Sequence, residues 1–127
     1  MTFNFQETIH FLISYESILV LSVILGSIFN LIMNKENPNI VLIGNLVMIA
    51  CYFILTKKKD KMVILLALLH YSIWGFIIES FIITKTNVLS YKQPEKSLNV
   101  PLWLLTSYSV FILGGLYTYD LVKILVK

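Results

Sequence analysis

Met62-Val-Ile-Leu-Leu-Ala-Leu-Leu-His-Tyr-Ser-Ile-Trp-Gly-Phe-Ile-Ile-Glu-Ser-Phe-Ile-Ile-Thr84 carries one charged side chain, Glu79, in an otherwise apolar or neutral run. A helix needs about 20 apolar residues to cross hydrocarbon, so the stretch reads as a membrane span. Three more runs have the same character and no charge: Ser17 to Asn34, Asn37 to Thr56 and Ser97 to Tyr119. None alternates polar with apolar, as strands of a membrane barrel would. The expected fold is all-α: an integral membrane four-helix bundle of two antiparallel hairpins. It occupies one membrane domain over 1–127, with helices at about 14–34, 38–56, 62–84 and 100–120.

Composition agrees. The chain has 57% hydrophobic and 13% charged residues and a mean hydropathy of +0.81. Soluble domains carry about 25% charged residues. All ten basic residues are Lys, and they cluster at the ends of apolar runs. That is a topology mark, not a nucleic-acid footprint. No cofactor or metal motif is present. The single Cys51 cannot form an intramolecular disulfide and reads as a small buried apolar residue.

The connections differ in length. Lys35 to Asn39 (KENPN) and Lys57 to Lys61 (KKKDK) are tight, whereas Lys85 to Asn99 is longer. Pro101 suits the first turn of the last helix, where its missing N–H costs nothing. Met1 to Tyr15 reads as a short amphipathic lead-in at the interface. The side holding both termini and KKKDK has six Lys against four opposite, which places the termini in the cytoplasm. Tyr15, Trp103, Tyr117 and Tyr119 read as aromatic-belt residues. Glu16 and Asp120 read as solvated or interfacial, and His70 as a neutral, hydrogen-bonded packing residue.

Ionisable and amide groups within hydrocarbon are costly, about 2.5–3.5 kcal/mol for a charge on insertion scales, so each is a functional candidate. At ~1.5 Å per residue, Asn30, Asn45, Glu79 and Ser107 fall about 6–9 Å from one side. With Thr106 they make a polar layer in one leaflet. Ser72, Gly75 and Glu79 follow a single helical stripe, as do Ser22, Gly26 and Asn30. The expected ligand pocket is therefore Asn30, Asn45, Ser72, Glu79, Thr106 and Ser107. His70 lies opposite Glu79 on its helix and cannot pair with it.

Gly75-Phe76-Ile77-Ile78-Glu79, then Tyr91, then Val100-Pro101-Leu102-Trp103-Leu104 resembles a pattern of small polytopic membrane proteins. There an acidic helix residue precedes a Tyr-bearing turn and Pro-Leu-Trp-Leu. The layout, over Tyr71 to Phe111, is similar to membrane enzymes of carotenoid biosynthesis, the bacterioruberin-type hydratases and lycopene cyclase domains. The resemblance implies Glu79 as the catalytic carboxyl group, if chemistry occurs, with Tyr91, Pro101 and Trp103 in the loop and the return to apolar sequence. Where the cyclases carry paired acids after the Pro, this chain has Leu102 and Trp103. A second resemblance, carried by Glu16 and Tyr71-Ser-Ile-Trp74-Gly75, is to the small multidrug resistance and drug/metabolite transporter group. It implies a proton-coupled homodimer.

Three functions follow as expectations. One is binding of an apolar lipid or isoprenoid-like molecule beside a polar pocket, with or without acid catalysis by Glu79. The second is export of hydrophobic cations; the third is an accessory subunit without a ligand. Glu79→Gln leaves only the third intact. The orientation has its own check. Lys58→Cys is expected to label from the cytoplasmic face and Lys92→Cys from the opposite one; cytoplasmic labelling of Lys92→Cys would reverse the assignment.

Overall fold

Two serines and an asparagine set the start of the chain. The Asn4 side chain accepts from the Glu7 N–H at 3.1 Å and caps α1, Phe5–Leu12. Ser14 accepts from the Ser17 N–H at 3.3 Å and starts α2, Tyr15–Met33. Both hydroxyls, Ser14 at 2.6 Å and Ser17, donate to the Phe11 carbonyl, which ties the bend between the helices. Pro38 opens α3, Pro38–Leu55, where its fixed φ suits the first turn. Then come α4, Lys61–Thr86, and α5, Trp103–Leu125. The computed structural model describes residues 3–86 and 103–126. Tyr91 and Pro101, named as loop residues above, lie outside the described residues.

Helices α2 to α5 are each long and apolar enough to cross a membrane. Their 18 to 26 residues correspond to about 27–39 Å at ~1.5 Å per residue, against ~30 Å of hydrocarbon. The chain is thus a small polytopic membrane protein with four candidate spans. Large apolar side chains such as Phe29, Ile54 and Phe111 point outward, a surface that suits lipid and not water.

The helices are not equivalent. α5 packs against α4, α3, α2 and α1, whereas α4 packs chiefly on α5. α2 and α3 form the other pair. A core of Val20, Val23, Tyr52, Ile64, Leu68 and Leu113 joins all four long helices near the end that holds the termini. There the Asn4 N–H donates to the Leu125 carbonyl at 3.0 Å, and the Phe11 ring stacks on Tyr117 at 5.3 Å. α1 is therefore fastened to α5. At the distal end Phe76, Ile83 and Leu104 form a second cluster between α4 and α5.

Small residues let the pairs close. The Ser72 and Ser109 hydroxyls pair at 2.6 Å across α4 and α5, and a Cβ on Gly75 would stand 3.1 Å from the Tyr108 ring. Across α2 and α3, a Cβ on Gly44 would lie 2.2 Å from Asn30 Nδ2. That amide donates to the Val41 carbonyl at 3.1 Å and its oxygen accepts from Asn34 at 2.9 Å. Asn30 thereby holds the α2–α3 turn. Of the expected stripe on α2, Gly26 and Asn30 face α3, but Ser22 is exposed. The buried stripe is Val20, Val23 and Ser27 instead.

Two sequence expectations are corrected. Cys51 is exposed on α3, because its turn faces away from α2 and α5. His70 is exposed on the α4 face opposite Ser72, edge-on to Tyr71 at 5.4 Å and Trp74 at 6.4 Å, and makes no hydrogen bond among the described residues.

Gly44→Ala is expected to displace the Asn30 amide and lower stability by about 1–3 kcal/mol. Gly115→Ala, which meets nothing within 4 Å, is the matched control and is expected to leave stability unchanged or slightly raised. Thermal unfolding in detergent micelles compares the two.

Candidate ligand cleft

The polar residues of α5 are spaced to face two neighbours. Ser109 turns to α4, and Thr106 and Ser107 turn to α3. The Asn45 amide nitrogen donates to Thr106 Oγ1 at 3.0 Å and to Ser107 Oγ at 3.3 Å. Thr106 in turn donates to the Trp103 carbonyl at 2.6 Å, one turn back along its own helix. Asn45 is 2% exposed. Its other atom, Oδ1, has no hydrogen-bond partner among the described residues.

Beside this layer a cleft of ≈ 570 Å³ runs between α2 and α5. Ile24, Ser27, Ile28 and Leu31 line it from α2. Residues from Trp103 to Thr118 line it from α5, and Asn45 reaches in from α3. The sixteen residues of α5 from Trp103 to Thr118 span about 22 Å, most of the hydrocarbon depth. Leu21, Ile28, Phe111 and Thr118 on its rim are exposed, so the cleft opens sideways toward lipid. Gly114 keeps α5 close to α2, since a Cβ there would lie 3.2 Å from Ile24 Cδ1.

Three buried side-chain atoms lack a partner among the described residues: Ser27 Oγ, Asn45 Oδ1 and the Tyr117 hydroxyl. Their residues all line this cleft. A buried polar atom without a partner costs about 1–3 kcal/mol; these three atoms are closed off from the cleft, whose wall is mainly apolar. No Asp, Glu, Lys or Arg is among its described lining residues.

The expected pocket residues are thus distributed among three settings. Asn45, Thr106 and Ser107 come together, and Trp103 joins Asn45 and Ser107 in the cleft wall. Asn30 belongs to the α2–α3 turn, one helical turn from Asn45 through Val41. Ser72 belongs to the α4–α5 contact. Glu79 is half-buried on α4 between Phe76 and Ile83, which face α5, and is not among the residues lining the cleft. Ser27 and Tyr117 were missed as site residues. Ser27 was legible as the polar member of the Val20, Val23, Ser27 stripe. Tyr117 looked like a belt residue because a Tyr near a helix end has the same sequence signature whether its hydroxyl points out or in.

At the end holding the termini, charges interlock. Glu16 accepts from the Thr56 hydroxyl at 2.8 Å and from the Lys57 N–H, so α2 fastens the α3–α4 connection. Tyr15 donates to the Leu55 carbonyl at 2.8 Å, and the Lys57 ammonium sits 4.3 Å from the Tyr15 ring centre. Lys58 pairs with Asp120 at 2.8 Å. A cavity of ≈ 30 Å³ lies beneath, walled by Glu16, Lys58, Asp120, Tyr52, Tyr117 and Phe11 among others. Burial by itself lowers the proton affinity of the Lys58 ammonium. The hydrogen bond and charge of Asp120, with smaller help from Tyr52 and Asp60, more than offset it and raise the pKa above 10.5.

A raised Lys pKa stabilises the fold fully below the unfolded value and loses that contribution as pH rises through the folded one. Stability is therefore expected to fall above about pH 10.5. The side chains are 33% and 36% exposed, so solvent screening limits the pair to about 0.2–1 kcal/mol. Asp120→Asn is expected to remove that part of the alkaline loss, read by thermal unfolding between neutral and alkaline pH. Compared with protein-family models, curated proteins and solved structures, the chain shows no match, so what it does is read from this cleft.

Proposed function

We propose that the protein binds a neutral, elongated apolar molecule of lipid or isoprenoid type in the α2–α5 cleft. The observation that carries the reading is the cleft itself: ≈ 570 Å³, walled mainly by apolar side chains of α2 and α5, with no charged residue among its described lining and an exposed rim at Leu21, Ile28, Phe111 and Thr118. Ligand pockets commonly have about 300–1,000 Å³, apolar walls and a few polar groups that fix orientation. The sideways opening lets a molecule already dissolved in lipid enter without crossing water.

Charge separates this reading from its rival. An exporter of hydrophobic cations needs a carboxylate at the substrate, and the described cleft wall holds none. Glu16, the carboxylate of the transporter resemblance, is engaged with Thr56 and Lys57. Glu79 stands on α4, away from the described wall, which favours binding over acid catalysis. The Lys excess around KKKDK supports a cytoplasmic location for the end where the termini meet.

Native mass spectrometry of the full chain released from lipid nanodiscs is expected to show one retained small-molecule adduct. Ser27→Leu, which projects a larger apolar group into the cleft, is expected to lower occupancy about tenfold, the equivalent of ~1.4 kcal/mol. Phe29→Leu, on the exposed face of α2, is expected to retain it. Thermal melts confirm that each variant is folded. An adduct that survives Ser27→Leu unchanged, or no adduct in the wild-type protein, overturns the reading.

A further inference from the structure

α4 turns one stripe to the bundle and the opposite one outward. Ile64, Leu68, Ser72 and Phe76 recur at every fourth residue and are buried. Val63, Leu66, His70, Trp74, Ile77 and Phe81 follow at spacings of three and four on the other side, and all are exposed. α4 packs chiefly on α5, so no helix among the described residues covers this outer stripe.

The middle of the stripe is chemically unsuited to lipid. His70 lies nine residues after Lys61, about 13–14 Å from that helix end, and Trp74 thirteen after it, about 19–20 Å. Hydrocarbon is ~30 Å thick, so both stand near its centre, far from the headgroup levels where Trp and Tyr are at home. Tyr71 is beside them and exposed as well. The His70 ring stands edge-on to Tyr71 at 5.4 Å and to Trp74 at 6.4 Å. None of the three makes a hydrogen bond among the described residues. An aromatic face meets an N–H weakly and offers nothing to the bare imidazole nitrogen. At that depth lipid has no water to offer in its place.

We infer that this face of α4 is an interface between two copies of the chain, lying side by side with the same topology, and that the two His70 imidazoles hydrogen-bond across it. Three features select a second copy as the occupant. A neutral imidazole carries one donor and one acceptor, so it is its own complement. Copies inserted the same way bring their His70 side chains to one depth by symmetry. The spacing of three and four is that of helices packed along their length, where one polar residue among apolar ones fixes the register. The described lining of the α2–α5 cleft includes none of these residues, so the inference is independent of the binding reading.

The test uses the full chain in lipid vesicles. Cys51→Ser first removes the exposed native thiol. In that background Ile77→Cys, on the stripe, is expected to form a dimer on oxidation. Phe29→Cys, on the exposed face of α2, is expected to stay monomeric. Energy transfer between copies labelled at Lys59→Cys, followed as the protein is diluted in lipid, measures the association. His70→Leu is expected to weaken it about tenfold, the size of one interhelical hydrogen bond. His70→Asn, whose amide again carries both donor and acceptor, is expected to associate nearly as tightly as wild type. Crosslinking at Phe29→Cys that equals or exceeds that at Ile77→Cys overturns the interface, as do monomers at every dilution. His70→Leu associating as tightly as wild type overturns the role of the imidazoles.

Discussion

Hydrocarbon offers no partner to a polar group, so each polar side chain in a span must be met by protein or by a ligand. The Asn45 amide between α3 and α5 is where this constraint shapes the fold most. Its donors reach Thr106 and Ser107, which makes α5 a partner of α3 at a fixed register. α5 then meets α4 through Ser109 and α2 beside Gly114, and becomes the helix on which the others assemble. Apolar packing by itself distinguishes poorly between helices in lipid, since tails are as greasy as Leu. The small and polar residues of α5 supply the discrimination.

The same constraint produces the cleft. Where helices are drawn together by small residues, as at Gly44 beside Asn30 and Gly75 beside Tyr108, there is no space left. Between α2 and α5, Gly114 stands close to Ile24, and the large aliphatic side chains around it leave an opening. Asn30, Ser72 and Thr106 are satisfied by internal bonds and hold helices together, while the space between α2 and α5 is walled mainly by apolar side chains.

The end holding the termini is organised by a different physics. Glu16 and Asp120 engage the α3–α4 connection from two helices, and Asn4 joins the start of the chain to Leu125. These bonds lie at helix ends, where partial solvation makes each worth little on its own. Their combined effect is geometric. They bring the ends of four spans to one place, above the core that contains Tyr52 and Leu113.

Periodicity-free apolar length was enough to determine the class of the protein, because a span of ~20 uncharged residues has few alternatives to a membrane helix. The turns at KENPN and KKKDK and a common depth for Asn45, Thr106 and Ser107 were legible for the same reason: depth along a helix follows from counting residues. What counting cannot supply is the rotation of each helix and the choice of its neighbours. Counting puts Glu79 and Asn45 at one level, yet one stands on α4 and the other on α3, and only tertiary packing decided that α4 leans chiefly on α5. His70 and Cys51 face outward, whereas the hydroxyls of Ser27 and Tyr117 are buried. One residue is ~100° on a helix, more than enough to exchange lipid for the cleft, and it is set by which small residues find each other across the interface.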